Sequence, residues 1–220
     1  MRYDVLHTER EVSMATYLIT GPSGSGKTTI GIELRGRGYC VVDADSAFGY
    51  LAERATGAPV GHPGAANITK EWYEYNGWIW RRDRVEGFLS KNKGKTVFLC
   101  GAADNEALFY PFFGKIFLLD LRPGVLRRRL GDRQDSDNNP VFVEMSLDEL
   151  IRTRDNAERF NMITIRSDQG DARNSADAIL SHLDENLLEK LSRWINRIAR
   201  HRLWNRSMTN VLRLRRTRRV

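Results

Sequence analysis

The sequence is poor in cysteine, with only two in 220 residues. Cys40 and Cys100 lie in separate apolar runs, which argues against a disulfide framework and against a cysteine-based metal site. No apolar stretch reaches the roughly 20 residues that a membrane-spanning helix needs, and no secretory leader is recognised. We therefore expect a cytoplasmic protein that is not an integral membrane protein.

Acidic residues are missing from the end of the chain, where Leu191–Val220 contains ten arginines. Taking these ten charges from the formal net charge of +7 leaves −3 on the rest, so the high overall charge is no argument that the main domain binds nucleic acid. We expect a domain over 14–190 and a basic helical or disordered extension over 191–220. Arginine without lysine favours an anionic partner for the extension, such as nucleic acid, lipid or an acidic protein.

Periodicity is missing from residues 1–13, which are polar. We interpret them as a misassigned start or a loose arm, and we leave them out of the predicted fold.

Glycine is concentrated in residues 21–28, which read Gly-Pro-Ser-Gly-Ser-Gly-Lys-Thr. They match G-x-x-x-x-G-K-[ST] at every fixed position, between an apolar run and a helix-competent segment, as in a phosphate-binding P-loop. A G-x-G-x-x-G dinucleotide motif cannot be aligned over residues 21–29. The residues predicted to bind the nucleotide are Gly21, Pro22, Ser23, Gly24, Ser25, Gly26, Lys27, Thr28 and Thr29.

The chemistry of such a loop suggests roles for its last residues. Its glycines let backbone N–H groups converge on an anion, and the following helix N-terminus adds positive potential. We expect Lys27 to contact the β- and γ-phosphates and Thr28 to hold Mg²⁺. ATP and Mg²⁺ are therefore the predicted cofactors.

Short apolar runs alternate with helical segments, which predicts an α/β fold with a central parallel sheet of five strands. The predicted strands are Thr16–Thr20, Tyr39–Val42, Thr96–Cys100, Lys115–Leu121 and Met162–Ile165. The predicted helices are Lys27–Arg35, Ile68–Lys91, Pro123–Leu130, Leu147–Phe160 and a long one from about Ser175 past Trp204. Ser146–Glu149 resembles a capping box, and the polar stretch 131–143 is predicted to be a lid loop or a binding loop.

Two acids separated by one residue, Asp43 and Asp45, follow the second strand. In an extended chain their side chains point the same way, and the carboxyl edge of the sheet is where a ligand is expected. One could hold Mg²⁺, and the other could orient or deprotonate an acceptor hydroxyl. Asp104 and Asp120 are rival metal ligands.

The combination of P-loop, strand and Asp-x-Asp resembles the shikimate, gluconate and adenylate kinase group of small P-loop kinases, over about residues 14–183. The resemblance implies a three-layer P-loop NTPase fold in which Asp43 and Thr28 serve Mg²⁺ and Asp45 contacts the acceptor. It also implies that Arg128 and Arg133 reach over the phosphates.

The sequence also departs from two members of this group. The triple glycine of shikimate kinases is replaced by Gly101-Ala102-Ala103, and the Asp-Gly-x-Pro-Arg turn of nucleoside monophosphate kinases is absent. Neither acceptor is therefore implied. The aromatic segment Ile68–Lys91 is expected either to line the acceptor site or to pack against the sheet.

The sequence thus predicts a phosphotransferase that moves the γ-phosphate of ATP–Mg²⁺ to a hydroxyl or phosphate of a small metabolite. Its predicted catalytic residues are Lys27, Asp45, Arg128 and Arg133. Two alternatives stay open. A polynucleotide 5′-hydroxyl kinase would use the basic extension for phosphate contacts, and a regulatory module would hold the nucleotide without transferring phosphate.

Overall fold

A computed structural model describes residues 16–64, 67–133 and 139–183. The predictions for residues 1–13, for the extension over 191–220 with its anionic partner, and for the end of the long C-terminal helix lie outside the described residues. The chain divides into two compact units, Met1–Ala176 and Asp177–Val220. In the second unit, residues 177–183 are described and are helical.

The elements of the fold are as follows. The strands are β1 (Thr16–Thr20), β2 (Cys40–Asp43), β3 (Gly49–Glu53), β4 (Asn76–Trp80), β5 (Val97–Cys100), β6 (Lys115–Asp120) and β7 (Ile163–Arg166). The helices are α1 (Lys27–Gly36), α2 (Ala44–Phe48), α3 (Lys70–Tyr75), α4 (Arg82–Lys91), α5 (Pro123–Gly131) and α6 (Pro140–Arg159), with a 3-10 helix at Glu106–Phe112 and a helix α7 over 172–183. Within the described ranges, no helix is both long and apolar enough to cross a membrane.

The central sheet has five parallel strands in the order β2-β5-β1-β6-β7. With its flanking helices, it confirms the predicted α/β fold and the five predicted strands. Strand β1 occupies the middle, and its carboxyl end leads directly into the P-loop. The carboxyl ends of parallel strands meet at one edge, so the segments after β1, β2 and β5 lie at the same end of the sheet.

The central strands are buried because helices flank the sheet. Leu18 and Ile19 in β1 and Phe117 and Leu118 in β6 are all 0% exposed, although neighbouring side chains point to opposite faces. This burial explains why these strands read as continuous apolar runs rather than as alternating ones. A second apolar cluster joins α5 to α6 and comprises Leu121, Leu126, Leu130, Val143 and Leu150.

The predicted helix Ile68–Lys91 is wrong in its middle, where the chain forms β4 between α3 and α4. Strand β4 pairs antiparallel with β3, so that Trp80 faces Gly49 and Trp78 faces Leu51. Trp80 is 1% exposed and lies 6.0 Å from Phe109 between ring centroids. Strand pairing and burial of the indole override the helical spacing of the aromatic residues. The antiparallel pairing of β3 with β4 was not predicted.

The predicted start of the fourth helix is also wrong, because α6 begins at Pro140 instead of near Leu147. The side chain of Asn139 accepts a hydrogen bond of 2.8 Å from Val141 N, and proline suits the first helical position because it lacks an N–H. Ser146 is therefore buried inside the helix, at 2% exposure, and does not cap it. The predicted lid loop 131–143 is shortened accordingly, and its residues 134–138 lie outside the described part.

Candidate active site

The P-loop is held in a conformation that glycine makes possible. Gly21, Gly24 and Gly26 have φ values of 142°, 79° and 104°, which residues with a side chain rarely adopt. A Cβ at Gly21 would lie 2.8 Å from the carbonyl oxygen of Leu119, so the loop also packs closely on β6. The spacing of glycines in the motif therefore reflects both backbone conformation and packing.

Lys27 begins α1 and folds back over the loop. Its Nζ donates hydrogen bonds to the carbonyl oxygens of Gly21, at 2.6 Å, and Pro22, at 3.0 Å. The first turn of α1 contains no acidic residue, so the positive end of the helix dipole is not offset there. An ammonium group and a helix N-terminus thus act at the same place, which is an arrangement that favours an anion.

A cavity of about 620 Å³ lies against the P-loop. Its wall includes the predicted nucleotide-binding residues Ser23, Gly24, Ser25, Gly26, Lys27, Thr28 and Thr29, together with Asp45, Arg129, Arg133 and Ser167. Its volume falls in the range of small-molecule and cofactor sites. The cavity brings together Lys27, Asp45 and Arg133, three of the four residues predicted to be catalytic, whereas Arg128 does not line it.

Asp45 is fixed at the cavity wall through one of its two carboxylate oxygens. Oδ1 accepts a hydrogen bond of 3.1 Å from Trp80 Nε1 and one of 3.0 Å from Ala102 N. Within the described chain, Oδ2 has no hydrogen-bond partner. Burial raises the pKa of the Asp45 carboxyl, while the charge of Lys27 and the two hydrogen bonds oppose that rise. A carboxylate of this kind can accept a proton more readily than an exposed aspartate.

The expected extended geometry of Asp43 and Asp45 is wrong. The chain turns at the end of β2, so that Asp45 lies in the first turn of α2 while Asp43 precedes the helix as its N-cap. Oδ1 of Asp43 accepts a hydrogen bond of 3.0 Å from Ser46 N. Asp is a favoured N-cap residue because it satisfies a free N–H of the first turn. Asp43 is not part of the cavity wall, whereas Thr28 is.

Two arginines near the end of α5 contact the P-loop. Arg129 Nη1 donates to the carbonyl oxygens of Gly24 and Ser25, at 3.3 and 3.4 Å, and its Nη2 donates to Ser167 O at 2.9 Å. Arg133 Nη1 donates to Ser23 Oγ at 3.0 Å. Arg128, by contrast, is exposed. Consecutive helical residues project about 100° apart, so Arg128 cannot face the loop when Arg129 does.

The two rival metal ligands are engaged in ion pairs. Asp120 accepts from Arg154 Nε at 2.8 Å and from Arg166 Nη1 at 2.9 Å. Asp104 pairs with Arg54 at 2.6 Å. Both carboxylates are therefore already matched by guanidinium groups, which makes them structural in this arrangement. In the described part of the chain, no cluster of three or more His, Cys, Asp or Glu side chains forms a ready metal site.

No protein-family model and no curated protein matches the chain. Solved structures do match it. One is the shikimate kinase from Acinetobacter baumannii in complex with shikimate, at 24% identity and a TM-score of 0.47 over 79% of this chain and 94% of that one. Another is a gluconokinase from Sinorhizobium meliloti 1021, at 18% and 0.44 over 80% and 97%. A third is the deoxyadenosine kinase from M. mycoides with bound dATP, at 13% and 0.48 over 77% and 99%. These proteins are small P-loop kinases, the group that the sequence motifs resemble, and the likeness concerns the fold alone.

Two further carboxyl groups, those of Glu106 and Glu149, have a raised pKa. Glu106 accepts hydrogen bonds from Thr20 Oγ1, at 2.8 Å, and from Tyr110 OH, at 2.7 Å, and burial raises the pKa of its carboxyl. Burial also raises the pKa of Glu149 to about 7, even though the positive charge of Lys27 opposes the rise. The positive charge of Lys27 opposes the rise in the pKa of all three carboxyl groups, those of Asp45, Glu106 and Glu149.

The site fits a magnesium nucleotide in two respects. Ser25 Oγ is buried without a hydrogen-bond partner in the described structure, next to the curled backbone of the loop. The donor set is also appropriate, since Mg²⁺ in phosphate sites keeps several waters and takes only one or two protein ligands. The Thr28 hydroxyl and the Asp43 carboxylate are residues of the right type for that, and phosphate oxygens would complete the coordination.

Sequence reasoning missed four functional candidates. Arg129 lies in a run of three arginines. Only the rotation of α5 about its axis shows which of the three contacts the P-loop. Trp80 was assigned to a helix, so its bond to Asp45 was not expected. Glu106 belongs to no motif, and Glu149 was predicted only as part of a capping box; burial in the fold is what raises the pKa of each.

Proposed function

We propose that the protein is an ATP-dependent phosphotransferase that moves the γ-phosphate of ATP to a hydroxyl of a small acceptor. The proposal rests on the position of Asp45, which lies in the wall of the cavity that the P-loop also lines. Its Oδ1 accepts two hydrogen bonds, and its Oδ2 is left for a substrate. A phosphate cradle and an oriented general base in one cavity are the minimum that phosphoryl transfer requires.

Each part of the P-loop has a distinct role in this proposal. The amides of residues 21–28 bind the phosphates, and Lys27 exchanges its bonds to Gly21 O and Pro22 O for bonds to phosphate oxygens. Thr28 and Asp43 hold Mg²⁺, which supplies charge neutralisation of the phosphate oxygens when bound.

Asp45 acts on the acceptor. Its free Oδ2 accepts the proton of the acceptor hydroxyl while that oxygen forms a bond to the γ-phosphorus, and the bond from that phosphorus to the bridging oxygen breaks, leaving ADP. The raised pKa of the Asp45 carboxyl suits this proton transfer, because a base is most effective when its pKa approaches the working pH. Trp80 and Ala102 fix the carboxylate and lower the cost of positioning it.

Arg129 and Arg133 position the loop and stabilise charge in the transition state. Arg133 already reaches Ser23 in the loop, and its guanidinium is the right group for equatorial phosphate oxygens. Arg129 joins the loop to Ser167, another residue of the cavity wall, and the base of the nucleotide would lie near Ser167. Arg128 stays a prediction, since its exposed position needs lid closure to reach the phosphates.

The test is transfer of labelled γ-phosphate from ATP to a panel of sugars, nucleosides, hydroxy acids and oligonucleotides, with wild type, Lys27→Ala and the control Lys91→Ala on the exposed end of α4. We expect transfer by wild type and the control, and a loss of about 100-fold or more in Lys27→Ala. Transfer only to oligonucleotide 5′-hydroxyls would favour the polynucleotide kinase. Tight ATP binding without transfer to any acceptor would favour the regulatory module.

A further inference from the structure

The side chain of Asn105 makes two hydrogen bonds to the backbone of one residue, Trp80. Asn105 Oδ1 accepts from Trp80 N at 3.0 Å, and Asn105 Nδ2 donates to Trp80 O at 2.9 Å. Asn105 also stands at the N-cap position of the 3-10 helix Glu106–Phe112, where asparagine is a favoured capping residue, but its side chain makes no capping bond there. The amide is therefore used for contact with β4 and not for the helix that it precedes.

The segment that follows β5 covers the outer edge of β4. The other edge of β4 pairs with β3. On the outer edge, Asp104 N donates to Trp78 O at 2.8 Å. The Asn105 amide satisfies both backbone groups of Trp80, which is 1% exposed. Because water is largely excluded from this position, loss of the amide would leave a buried N–H and a buried C=O unpaired.

Trp80 connects this edge of β4 to the cavity wall. Its indole Nε1 donates to Asp45 Oδ1 at 3.1 Å, and Asp45 lines the same cavity as the P-loop. A Cβ at Gly101 would lie 2.9 Å from Trp80 Cζ2 and 2.6 Å from Asp45 Oδ1, so the indole and the carboxylate are closely packed. A displacement of the Trp80 backbone would therefore be transmitted to the carboxylate.

The segment 101–105 supports Asp45 in two ways. Ala102 N donates directly to Asp45 Oδ1 at 3.0 Å. Asn105, three residues further on, fixes the backbone of the residue whose indole binds the same oxygen. One short segment thus determines both of the hydrogen bonds that orient this carboxylate.

On the basis of the proposed function, we propose that Asn105 is a positioning residue for the general base Asp45 and that it acts through Trp80. Both hydrogen bonds of its side chain go to Trp80, and Asn105 does not line the cavity against the P-loop. It therefore governs the rate of phosphate transfer and leaves ATP binding unchanged.

Few other side chains can replace the Asn105 amide. Bonding to the N–H and the C=O of one residue requires an acceptor and a donor on the same short planar group. Aspartate has the same size but only acceptors when ionised, so Asn105→Asp would keep the bond from Trp80 N and bring a carboxylate oxygen against Trp80 O. Asn105→Ala would remove both bonds.

The experiment uses the full chain and measures kcat and KM for the best acceptor, together with the Kd of a non-hydrolysable ATP analogue. The variants are Asn105→Ala, Asn105→Asp, Trp80→Phe and the double variant Asn105→Ala/Trp80→Phe. The control is Asn92→Ala, which removes a hydrogen bond of 2.9 Å from Asn92 Nδ2 to Phe88 O at the end of α4 and touches neither Trp80 nor Asp45.

A second measurement follows the hydrogen bond itself, without any transfer of phosphate. The indole N–H resonance of Trp80 in a heteronuclear NMR spectrum is assigned by its absence from Trp80→Phe. Its position reports the bond to Asp45. Since Asn105→Asp keeps the size of the side chain, the test does not depend on the folding of Asn105→Ala alone.

We expect Asn105→Ala to lower kcat by about 10- to 100-fold, because a shift of about 1 Å in a catalytic group can have that effect, while the Kd of the ATP analogue is unchanged. Asn105→Asp should lie between Asn105→Ala and wild type. The Trp80 indole resonance should move in both variants and stay in place in Asn92→Ala. The double variant should be no slower than Trp80→Phe, because Asn105 acts only through the indole.

The inference alone is overturned if both Asn105 variants keep the wild-type kcat, if the indole resonance does not move, or if the two losses multiply in the double variant. A loss of affinity for the ATP analogue as large as the loss of kcat would also overturn it, since Asn105 would then only stabilise the fold. If wild type binds the analogue but transfers phosphate to no acceptor, the proposed function fails, and the role of Asn105 fails with it.

Discussion

The indole Nε1 of Trp80 donates a hydrogen bond of 3.1 Å to Oδ1 of Asp45. This bond joins strand β4 to the first turn of α2. Ala102 N binds the same oxygen at 3.0 Å. The carboxylate is therefore oriented by two segments far apart in the sequence, and its second oxygen is left for an acceptor.

Replacing Asp45 by asparagine should leave ATP binding intact and slow the transfer of phosphate to the acceptor. The amide oxygen can still accept from Trp80 and Ala102, so the fold and the ATP affinity should be retained. Loss of the general base should lower kcat by about 100-fold or more. The measurement is kcat with the best acceptor together with the Kd for ATP, and an unchanged kcat would remove Asp45 from the mechanism.

Gly101 should be essential for the position of Asp45. A Cβ there would lie 2.6 Å from Asp45 Oδ1 and 2.9 Å from Trp80 Cζ2, so Gly101→Ala must displace the carboxylate. We expect a loss of about 100-fold in kcat, since a shift of about 1 Å can have that effect. Gly124→Ala is the matched control, because no atom lies within 4 Å of a Cβ at that position. Equal activity of the two variants would contradict the assignment.

Asp168 should stabilise the fold in a pH-dependent way. Burial would raise the pKa of its carboxyl, but hydrogen bonds from the backbone and guanidinium of Arg122, together with Arg166, lower it to about 2. Its contribution is therefore fully present above the unfolded value of about 3.9 and is lost as the pH falls through 2. Asp168→Asn should lower the free energy of unfolding by about 2 kcal/mol at pH 7. Urea unfolding from pH 7 to pH 2 should show the difference from wild type disappear, and a constant difference would argue against the ion pairs.

Glu149 should have the opposite effect on stability. Its folded pKa of about 7 lies above the unfolded value, so wild type loses stability as the pH rises from about 4.3 to 7. Glu149→Gln should be up to about 2 kcal/mol more stable than wild type at pH 8 and equal to it at pH 4. Chemical unfolding at the two pH values measures this. A variant that is less stable at pH 8 would show that the carboxylate has a partner.

The parts of the molecule that follow from local sequence were predictable. The strands around Leu18 and Phe117 read as apolar runs because both of their faces are buried. In Gly21–Thr28, the positions of the glycines indicate the conformation of a P-loop. The pairing of β3 with β4 was missed because Trp78 and Trp80 fit a helix as well as a strand until their partners are known. The turn at Asp43 was missed because an N-cap and a strand end favour the same residue.

The charge interactions of the site could not be predicted from the local sequence. Burial raises the pKa of the Glu106 and Glu149 carboxyl groups, and the charge of Lys27, far away in the sequence, opposes that rise. The choice between Arg128 and Arg129 depends on the rotation of α5 about its axis, and a run of three arginines does not reveal that phase. Both cases need the fold before the chemistry can be assigned.

The most direct test of the central claim is a crystal structure with Mg²⁺ and a non-hydrolysable ATP analogue. We expect the triphosphate to lie on residues 21–28. Lys27 Nζ should have moved onto the phosphates from the carbonyl oxygens of Gly21 and Pro22, where it now lies at 2.6 and 3.0 Å. A nucleotide bound elsewhere, with Lys27 still on those two carbonyl oxygens, would contradict it.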